Sequence, residues 1–159
     1  MIHKIPMFTL NNSIMRKYKL PELQTAAFHI PLFGCRIEAG FPSPADDYIE
    51  DYLDLNARFI TNPAATFIVR ATGNSMVGVG IFSGDYLVVN RSLKPKNGDI
   101  VIAVVNGELT VKQLSCNSKQ VQLLPANKNY KPINISDGME LIIEGVVTLV
   151  LHEFKQCSR

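Results

Sequence analysis

Two short runs joined by Asn106-Gly107 constrain the fold more than any other feature of the chain. The runs span residues 101–105 and 108–114, and both are rich in Val, Ile, Leu and Thr. Asn-Gly between two such runs is a strong signal for a β-hairpin, because both residues tolerate the positive φ that a two-residue turn requires. Such a turn also fixes the register of the strands. The sequence therefore predicts a hairpin in which Val101 faces Lys112.

Short β runs continue on both sides of this hairpin. The predicted strands are 66–71, 85–90, 99–105, 108–114, 120–124 and 141–151. Gly, Pro, Asn and Asp fill the breaks, and no long helical pattern intervenes. We therefore predict a mainly β fold with a curled antiparallel or mixed sheet. Gly145 interrupts the last run, which predicts a β-bulge or close packing. This run is apolar enough for either the core or a dimer interface.

A short helix is predicted ahead of these strands. Ser43-Pro44 fits an N-cap followed by proline at the first helical position. Apolar residues then recur at helical spacing as far as Leu53, which predicts a helix over 44–53. A second helical turn is predicted over 55–60, ended by Asn62-Pro63.

Composition excludes several classes of function. The formal net charge of +2 is too small to indicate binding to nucleic acid or membranes by electrostatics alone. No apolar run is long enough to span a membrane, and the first residues do not resemble a secretory signal. Cys35, Cys116 and Cys157 lack metal-binding spacing, which favours reduced thiols in a cytoplasmic protein. No metal or nucleotide motif is present, so we expect no cofactor.

A serine in a glycine-rich turn is the main candidate for a reactive group. Ser75 follows the strand predicted over 66–71, in the segment Gly73-Asn74-Ser75-Met76. Glycines let the backbone bend sharply at the end of a strand and present a hydroxyl, and they leave room for a substrate backbone. Gly, Asn and Ser are also common in ordinary turns, so the turn alone leaves both interpretations open.

Lys112 is the best candidate for a base that could activate Ser75. His3, His29 and His152 lie near the chain ends or in the N-terminal region, which makes a Ser-His-Asp triad a poor fit. The hairpin register places Lys112 among apolar neighbours, and burial lowers the pKa of a lysine. A neutral amine could then take the Ser75 proton, as in Ser-Lys catalysis. Alternatively, the Lys112 ammonium could reach water while its stem packs on the strand.

Five motifs occur in order between about Ile30 and Val150. They are Gly40-Phe41-Pro42-Ser43-Pro44-Ala45, Gly73-Asn74-Ser75-Met76, Ser83-Gly84-Asp85, Gly98-Asp99-Ile100-Val101 and Thr110-Val111-Lys112. Together they resemble the LexA/UmuD family of self-cleaving Ser-Lys peptidases, in particular its UmuD branch, and imply a fold of the LexA C-terminal-domain type. The resemblance implies that Ser75 is the nucleophile and Lys112 the general base. It also implies that backbone N–H groups of Ser75 and Met76 bind the oxyanion.

The resemblance further implies that the chain cleaves itself at Ala39-Gly40. The small Ala39 side chain suits a narrow pocket, and Gly40 lets the chain turn through an active site. Cleavage there would remove an extended N-terminal arm, residues 1–39, and leave a peptidase and dimerisation domain, residues 40–159. Without the resemblance, Ala39-Gly40 would fit a plain flexible linker.

The partners expected of this chain also come from the resemblance. It implies that a RecA filament on single-stranded DNA assists cleavage after DNA damage. The processed homodimer would then join a UmuC-type Y-family polymerase in error-prone translesion synthesis, and Leu32 and Phe33 could contact the replicative sliding clamp. Two alternatives remain: a non-catalytic polymerase-accessory subunit, or the peptidase half of a LexA-like repressor that lacks its DNA-binding domain. The arm shows no helix-turn-helix pattern, which argues against sequence-specific DNA binding.

Overall fold

The computed structural model describes residues 28–34, 49–118 and 120–154. They belong to two compact units, one with the described residues up to Thr61 and the other with those from Asn62 onward. All strand pairs are antiparallel, and strands dominate both units. The predicted mainly β fold is confirmed. No helix among the described residues has the length and apolar character needed to cross a membrane.

The first unit contains a two-stranded sheet and one short helix. β1 (Ile30–Phe33) pairs with β2 (Ile49–Leu53), and α1 (Leu55–Phe59) follows. The side chain of Asp54 caps α1 by accepting two backbone N–H groups of its first turn. The helical turn predicted over 55–60 is therefore confirmed.

The helix predicted over 44–53 is wrong where the structure describes it, because Ile49–Leu53 form β2. The remainder, 44–48, lies outside the described residues. Apolar residues at helical spacing over so short a segment fit a strand equally well, and pairing with β1 satisfies the backbone groups. Four of the five β2 residues are exposed, so there is no buried face whose spacing would distinguish the helical period of apolar residues from the strand period.

Seven strands form one sheet in the second unit. They are β3 (Thr66–Arg70), β4 (Tyr86–Asn90), β5 (Ile100–Val105), β6 (Glu108–Cys116), β7 (Val121–Leu124), β8 (Ile133–Ile135) and β9 (Leu141–Leu151). Their order across the sheet is β3-β4-β9-β5-β6-β7-β8. Six correspond to predicted strands, and β8 was not predicted. The long β9 lies between β4 and β5 and so joins the two halves of the sheet.

The hairpin of β5 and β6 has the predicted register. Val101 faces Lys112, and the turn residues Asn106 and Gly107 have φ of 49° and 86°. Positive φ at both positions is the requirement that the Asn-Gly pair satisfies.

The predicted irregularity at Gly145 is confirmed. Ile102 pairs with Gly145 while the next residue of β5 pairs with Ile143, which leaves one extra residue in β9. A Cβ at Gly145 would lie 2.7 Å from Cγ1 of Val89, so only glycine fits without displacing the neighbour.

Two clusters of buried apolar residues pack in this unit. One consists of Val101, Ala103, Leu114, Val121, Leu123, Ile143 and Val146. The other, here called the Met76 cluster, consists of Ala71, Met76, Ile81, Leu87, Val89 and Ile102. The Met76 cluster contains residues on both sides of Ser75, so the turn that carries this serine is anchored in the core.

Candidate active site

The turn that carries Ser75 connects β3 to β4 and is fixed at both ends. Gly73 has a φ of +82°, a conformation that strongly favours glycine. Met76 follows Ser75 and is only 2% exposed, within the Met76 cluster. A 3-10 helix, Val77–Val79, then leads the chain away. The backbone therefore holds the Ser75 side chain at a defined position at the end of β3.

A segment that follows β7 also holds the Ser75 turn. The Ala126 N–H donates to the Ser75 carbonyl (2.8 Å), and the Gly78 N–H donates to the Ala126 carbonyl (2.7 Å). The Asn127 side chain donates to the Asn74 carbonyl (2.7 Å). These supports were not predicted from sequence, because Ala126 and Asn127 lie about fifty residues away and carry no motif. Asn127 also has a local role, since its side chain accepts the N–H of Asn129.

The structure brings Lys112 to Ser75. Lys112 Nζ lies 2.9 Å from Ser75 Oγ, 3.0 Å from Thr110 Oγ1 and 2.9 Å from the Val111 carbonyl. The residue is 9% exposed, and its burial lowers the pKa of the Lys112 amine below its usual value. The prediction of a buried lysine within reach of Ser75 is confirmed, and the alternative in which the ammonium reaches water is wrong.

The three contacts of Lys112 are compatible with either protonation state. An ammonium can donate one N–H to each of the three oxygens. A neutral amine can donate its two N–H groups to Thr110 Oγ1 and the Val111 carbonyl, which directs its lone pair to Ser75. The Ser75 hydroxyl can then donate to Lys112 Nζ. The geometry therefore allows the lysine to receive a proton from the serine without moving.

Two backbone N–H groups of the Ser75 turn, those of Ser75 and Met76, have no hydrogen-bond acceptor in the part of the chain that the structure describes. The preceding Gly73 has positive φ and the following residues form a helical turn, so successive N–H groups in this turn need not join a strand ladder. These are the groups that the resemblance to the LexA/UmuD family implies for binding an oxyanion.

A groove of about 230 Å³ runs beside Ser75 and Lys112. One wall is the end of β3 with the two residues that follow it, and the other is the first half of β6. The apolar part of the lining consists of Val69, Ala71, Leu87, Ile102, Leu109 and Val111. A groove with these apolar residues beside polar ones suits a peptide with small or aliphatic side chains.

Two further pairs of residues singled out from sequence are not tested by the structure. Ala39 and Gly40 fall outside the described residues, within the 34–48 connection between β1 and β2. Leu32 and Phe33 lie in β1 with exposed side chains. Neither prediction is tested by these positions.

His152 takes part in a separate interaction and does not line the groove. His152 Nδ1 lies 2.6 Å from Asp85 Oδ1, and the other Asp85 oxygen accepts the Phe82 N–H. The hydrogen bond from Phe82 is the main reason that the pKa of Asp85 is lowered, and His152 lowers it further. Asp85 thus connects the turn that precedes β4 to the residue that follows β9.

A comparison with family models identifies the class of protein. Residues 31–148 match the model described as Peptidase S24-like, and this match covers about three quarters of the chain. The chain belongs to the S24-like peptidase family. The membership in the LexA/UmuD family of peptidases that the motifs predict is thereby confirmed. The matched region includes Ser75, Lys112 and the groove beside them.

Several relatives of this S24-like peptidase match over most of their length. It is 50% identical over 133 residues to Protein SamA of Salmonella typhimurium, covering 84% of this chain and 92% of SamA. It is 48% identical over 130 residues to Protein ImpA of Escherichia coli, with 79% and 86% covered. The identity to Protein MucA of Escherichia coli is 41% over 131 residues, with 82% and 89% covered.

Proposed function

We propose that this S24-like peptidase cleaves its own backbone between Ala39 and Gly40, with Ser75 as nucleophile and Lys112 as general base. The observation that carries the proposal is the 2.9 Å contact between Lys112 Nζ and Ser75 Oγ, made by a buried lysine whose pKa is lowered. A serine hydroxyl is a weak nucleophile until a base removes its proton, and a lysine acts as a base only when neutral. Burial favours this neutral form, because it lowers the pKa of Lys112.

The proposed reaction proceeds through an acyl-enzyme. Ser75 Oγ attacks the Ala39 carbonyl carbon while its proton moves to Lys112 Nζ, and the N–H groups of Ser75 and Met76 receive the developing oxyanion. Lys112 then returns the proton to the amine of Gly40, which leaves as the new N-terminus. A water deprotonated by Lys112 hydrolyses the Ala39 ester, which releases a carboxylate and regenerates Ser75.

The biological setting of this proposal is the SOS response. A RecA filament on single-stranded DNA would promote cleavage by favouring the conformation in which Ala39 lies at Ser75, a population shift that needs no chemistry from RecA. The cleaved fragment, residues 40–159, would form a homodimer. It would then act with a UmuC-type Y-family polymerase in translesion synthesis. The exposed Leu32 and Phe33 of β1 support a contact between the uncleaved chain and the sliding clamp.

An intact-mass time course tests the central reaction. Purified protein is incubated with RecA, single-stranded DNA and a nucleotide triphosphate analogue, beside the Ser75→Ala variant. We expect a fragment that begins at Gly40 in the wild type and an intact chain in the variant. Cleavage of both proteins would exclude Ser75 as the nucleophile. An uncut wild type, at alkaline pH as well, would overturn self-cleavage and favour a non-catalytic subunit.

The clamp contact has a separate test. Binding of the full chain to a purified sliding clamp is measured for the wild type and for the Leu32→Ala/Phe33→Ala double variant, with Val79→Ala as a control at an exposed apolar residue of the other unit. We expect the double variant alone to lose binding. Equal binding of all three proteins would remove this partner.

A further inference from the structure

The groove beside Ser75 lies between two strand edges that have no neighbouring strand among the described residues. β3 is the edge strand of its sheet, and β4 is its one neighbour there. β7 pairs with β6 only at Gln113–Cys116, so the first half of β6 has β5 on one side and the groove on the other. Both walls of the groove therefore offer strand edges to a bound chain, which is the setting for strand addition.

The backbone of Arg70 faces this groove. Ala71 donates its N–H to the Asp85 carbonyl and accepts the Gly84 N–H, so the Ala71 backbone groups face β4. Backbone groups of successive residues in an extended strand point in opposite directions. The N–H and C=O of Arg70 are therefore directed away from β4, on the side of the groove, where a bound extended segment can pair with them.

The side chain of Arg70 lies on the face opposite to the apolar lining of the groove. Val69 and Ala71 pack with the Met76 cluster, and side chains alternate between faces along a strand. Arg70 instead shares its face with Tyr86, its cross-strand partner. An extended segment in the groove would likewise place every second side chain towards the apolar lining. The side chains at the intervening positions would lie on the face that carries Arg70.

The Arg70 guanidinium is held in place without a carboxylate. Its Nε donates to the Gly84 carbonyl (3.3 Å), and one Nη donates to the Tyr86 hydroxyl (3.2 Å). The guanidinium carbon lies 5.0 Å from the centre of the Tyr86 ring. No Asp or Glu of the described residues forms an ion pair with it. Arg70 is therefore an oriented, exposed positive charge at the rim of the groove.

We propose that Arg70 is a specificity-determining residue that binds Glu38 of the segment to be cleaved. The inference rests on the proposed cleavage at Ala39-Gly40. If the Ala39 side chain enters the apolar lining beside Ser75, the alternation of an extended chain sends Ile37 to the same lining and Glu38 to the opposite face. Ile37, Glu38 and Ala39 are apolar, acidic and apolar in turn. This alternation matches the two surfaces of the groove, which are the apolar lining and the face that carries the positive charge of Arg70. Cross-strand neighbours of opposite charge on one face attract each other.

A charge exchange tests this pairing. Spontaneous self-cleavage of the full chain is followed by intact mass at alkaline pH for the wild type, Arg70→Glu, Glu38→Arg and the double exchange. Each single variant places like charges opposite each other, and we expect each to slow cleavage about tenfold. The double exchange restores an opposite-charge pair, and we expect a rate within about threefold of the wild type. High salt should reduce the effect of each single variant, because the pair is exposed.

Lys94→Glu is the matched control, because Lys94 is exposed, does not line the groove and undergoes the same change in charge. We expect Lys94→Glu to cleave at the wild-type rate. A double exchange as slow as the product of the two single effects would overturn the pairing, because a merely structural role of Arg70 cannot be rescued from position 38. Wild-type rates in both single variants would also overturn it and leave the proposed function intact. An uncut wild type would overturn both.

Discussion

Replacing Thr110 by valine tests how the lysine is oriented. Thr110 Oγ1 lies 3.0 Å from Lys112 Nζ and accepts one of its N–H groups in either protonation state. Valine keeps the branched shape and removes this acceptor. The neutral amine then has one fixed acceptor, the Val111 carbonyl, and its lone pair is no longer held towards Ser75. We expect the rate of self-cleavage at alkaline pH, where the amine is fully neutral, to fall.

The size of this effect follows from the value of one hydrogen bond. A neutral hydrogen bond contributes about 1 kcal/mol, which corresponds to about a fivefold loss of rate at the alkaline plateau. The ammonium form of Lys112 loses a stronger, charge-assisted bond, worth about 1.5–3 kcal/mol. The substitution therefore disfavours the ammonium more than the amine. It should lower the pKa of Lys112 further and move the midpoint of the pH–rate curve down by about half to one pH unit.

These two effects oppose each other below the midpoint. At neutral pH a lower pKa raises the fraction of neutral Lys112. The factor of this increase is about the same as the factor by which the lost orientation slows the reaction of the neutral form. The Thr110→Val variant should thus cleave nearly as fast as the wild type at neutral pH and more slowly at alkaline pH.

Intact-mass rates across this pH range, for Thr110→Val and for Thr110→Ser, decide the matter. Serine keeps the hydroxyl, and we expect it to preserve the wild-type curve. An equal slowing of Thr110→Val at every pH, with an unmoved midpoint, would refute the reasoning and assign Thr110 a packing role only. A Thr110→Ser curve that matches the valine variant would refute it as well.

Three further predictions concern the wild-type pH dependence and the stability of the fold. Spontaneous cleavage should accelerate as pH rises and level off below the usual pKa of lysine, because burial lowers the pKa of Lys112; a rate that is flat from neutral to alkaline pH would contradict the role of general base. Gly145→Ala should lower the free energy of unfolding by about 1–3 kcal/mol in urea titrations, because the new methyl group would overlap Val89, and an unchanged midpoint would contradict this packing. The pKa of Asp85 is lower in the folded than in the unfolded chain. The charged form of Asp85 therefore stabilises the fold at pH values above the unfolded pKa of about 3.9, and this stabilisation is lost as the pH falls through the folded pKa. The free energy of unfolding of Asp85→Asn should therefore be lower than that of the wild type at neutral pH, and this difference should shrink in acid. A difference that does not change with pH would show that the hydrogen bonds of Asp85, including the one with His152, stabilise the fold independently of its charge.

Local sequence rules predicted the hairpin that presents Lys112 because the turn determines its own register. Asn106 and Gly107 require only each other and two adjoining strands, so nothing distant in the chain competes with them. The same rules failed for β2 and β8, which are short strands identified by what they pair with. β8 has three residues and is defined by its pairing with β7. Its own sequence carries too little periodicity to predict it.

The approach of Lys112 to Ser75 could not be predicted from periodicity alone. The two residues are 37 positions apart and lie on elements that are not neighbours in the sheet. Sequence reasoning reached the pair through the family motifs, which record the tertiary arrangement. The supports that the motifs did not include, at Ala126 and Asn127, were missed for the same reason: they act through backbone groups and one amide that any loop could carry.

The position of β9 between β4 and β5 implies an order in which the strands of this sheet can pair. During synthesis Ser75 and Lys112 both emerge well before residues 141–151. The turn that carries Ser75 adjoins β3 and β4, and Lys112 lies in β6, so the two residues belong to halves of the sheet that β9 joins. The β5–β6 hairpin needs local contacts and can form early, whereas the pairing of β4 with β9 closes a loop of some sixty residues and must wait. In a nascent chain that lacks β9, the sheet therefore does not yet connect the part that carries Ser75 to the part that carries Lys112. We therefore expect the proposed self-cleavage to begin only after β9 has been synthesised.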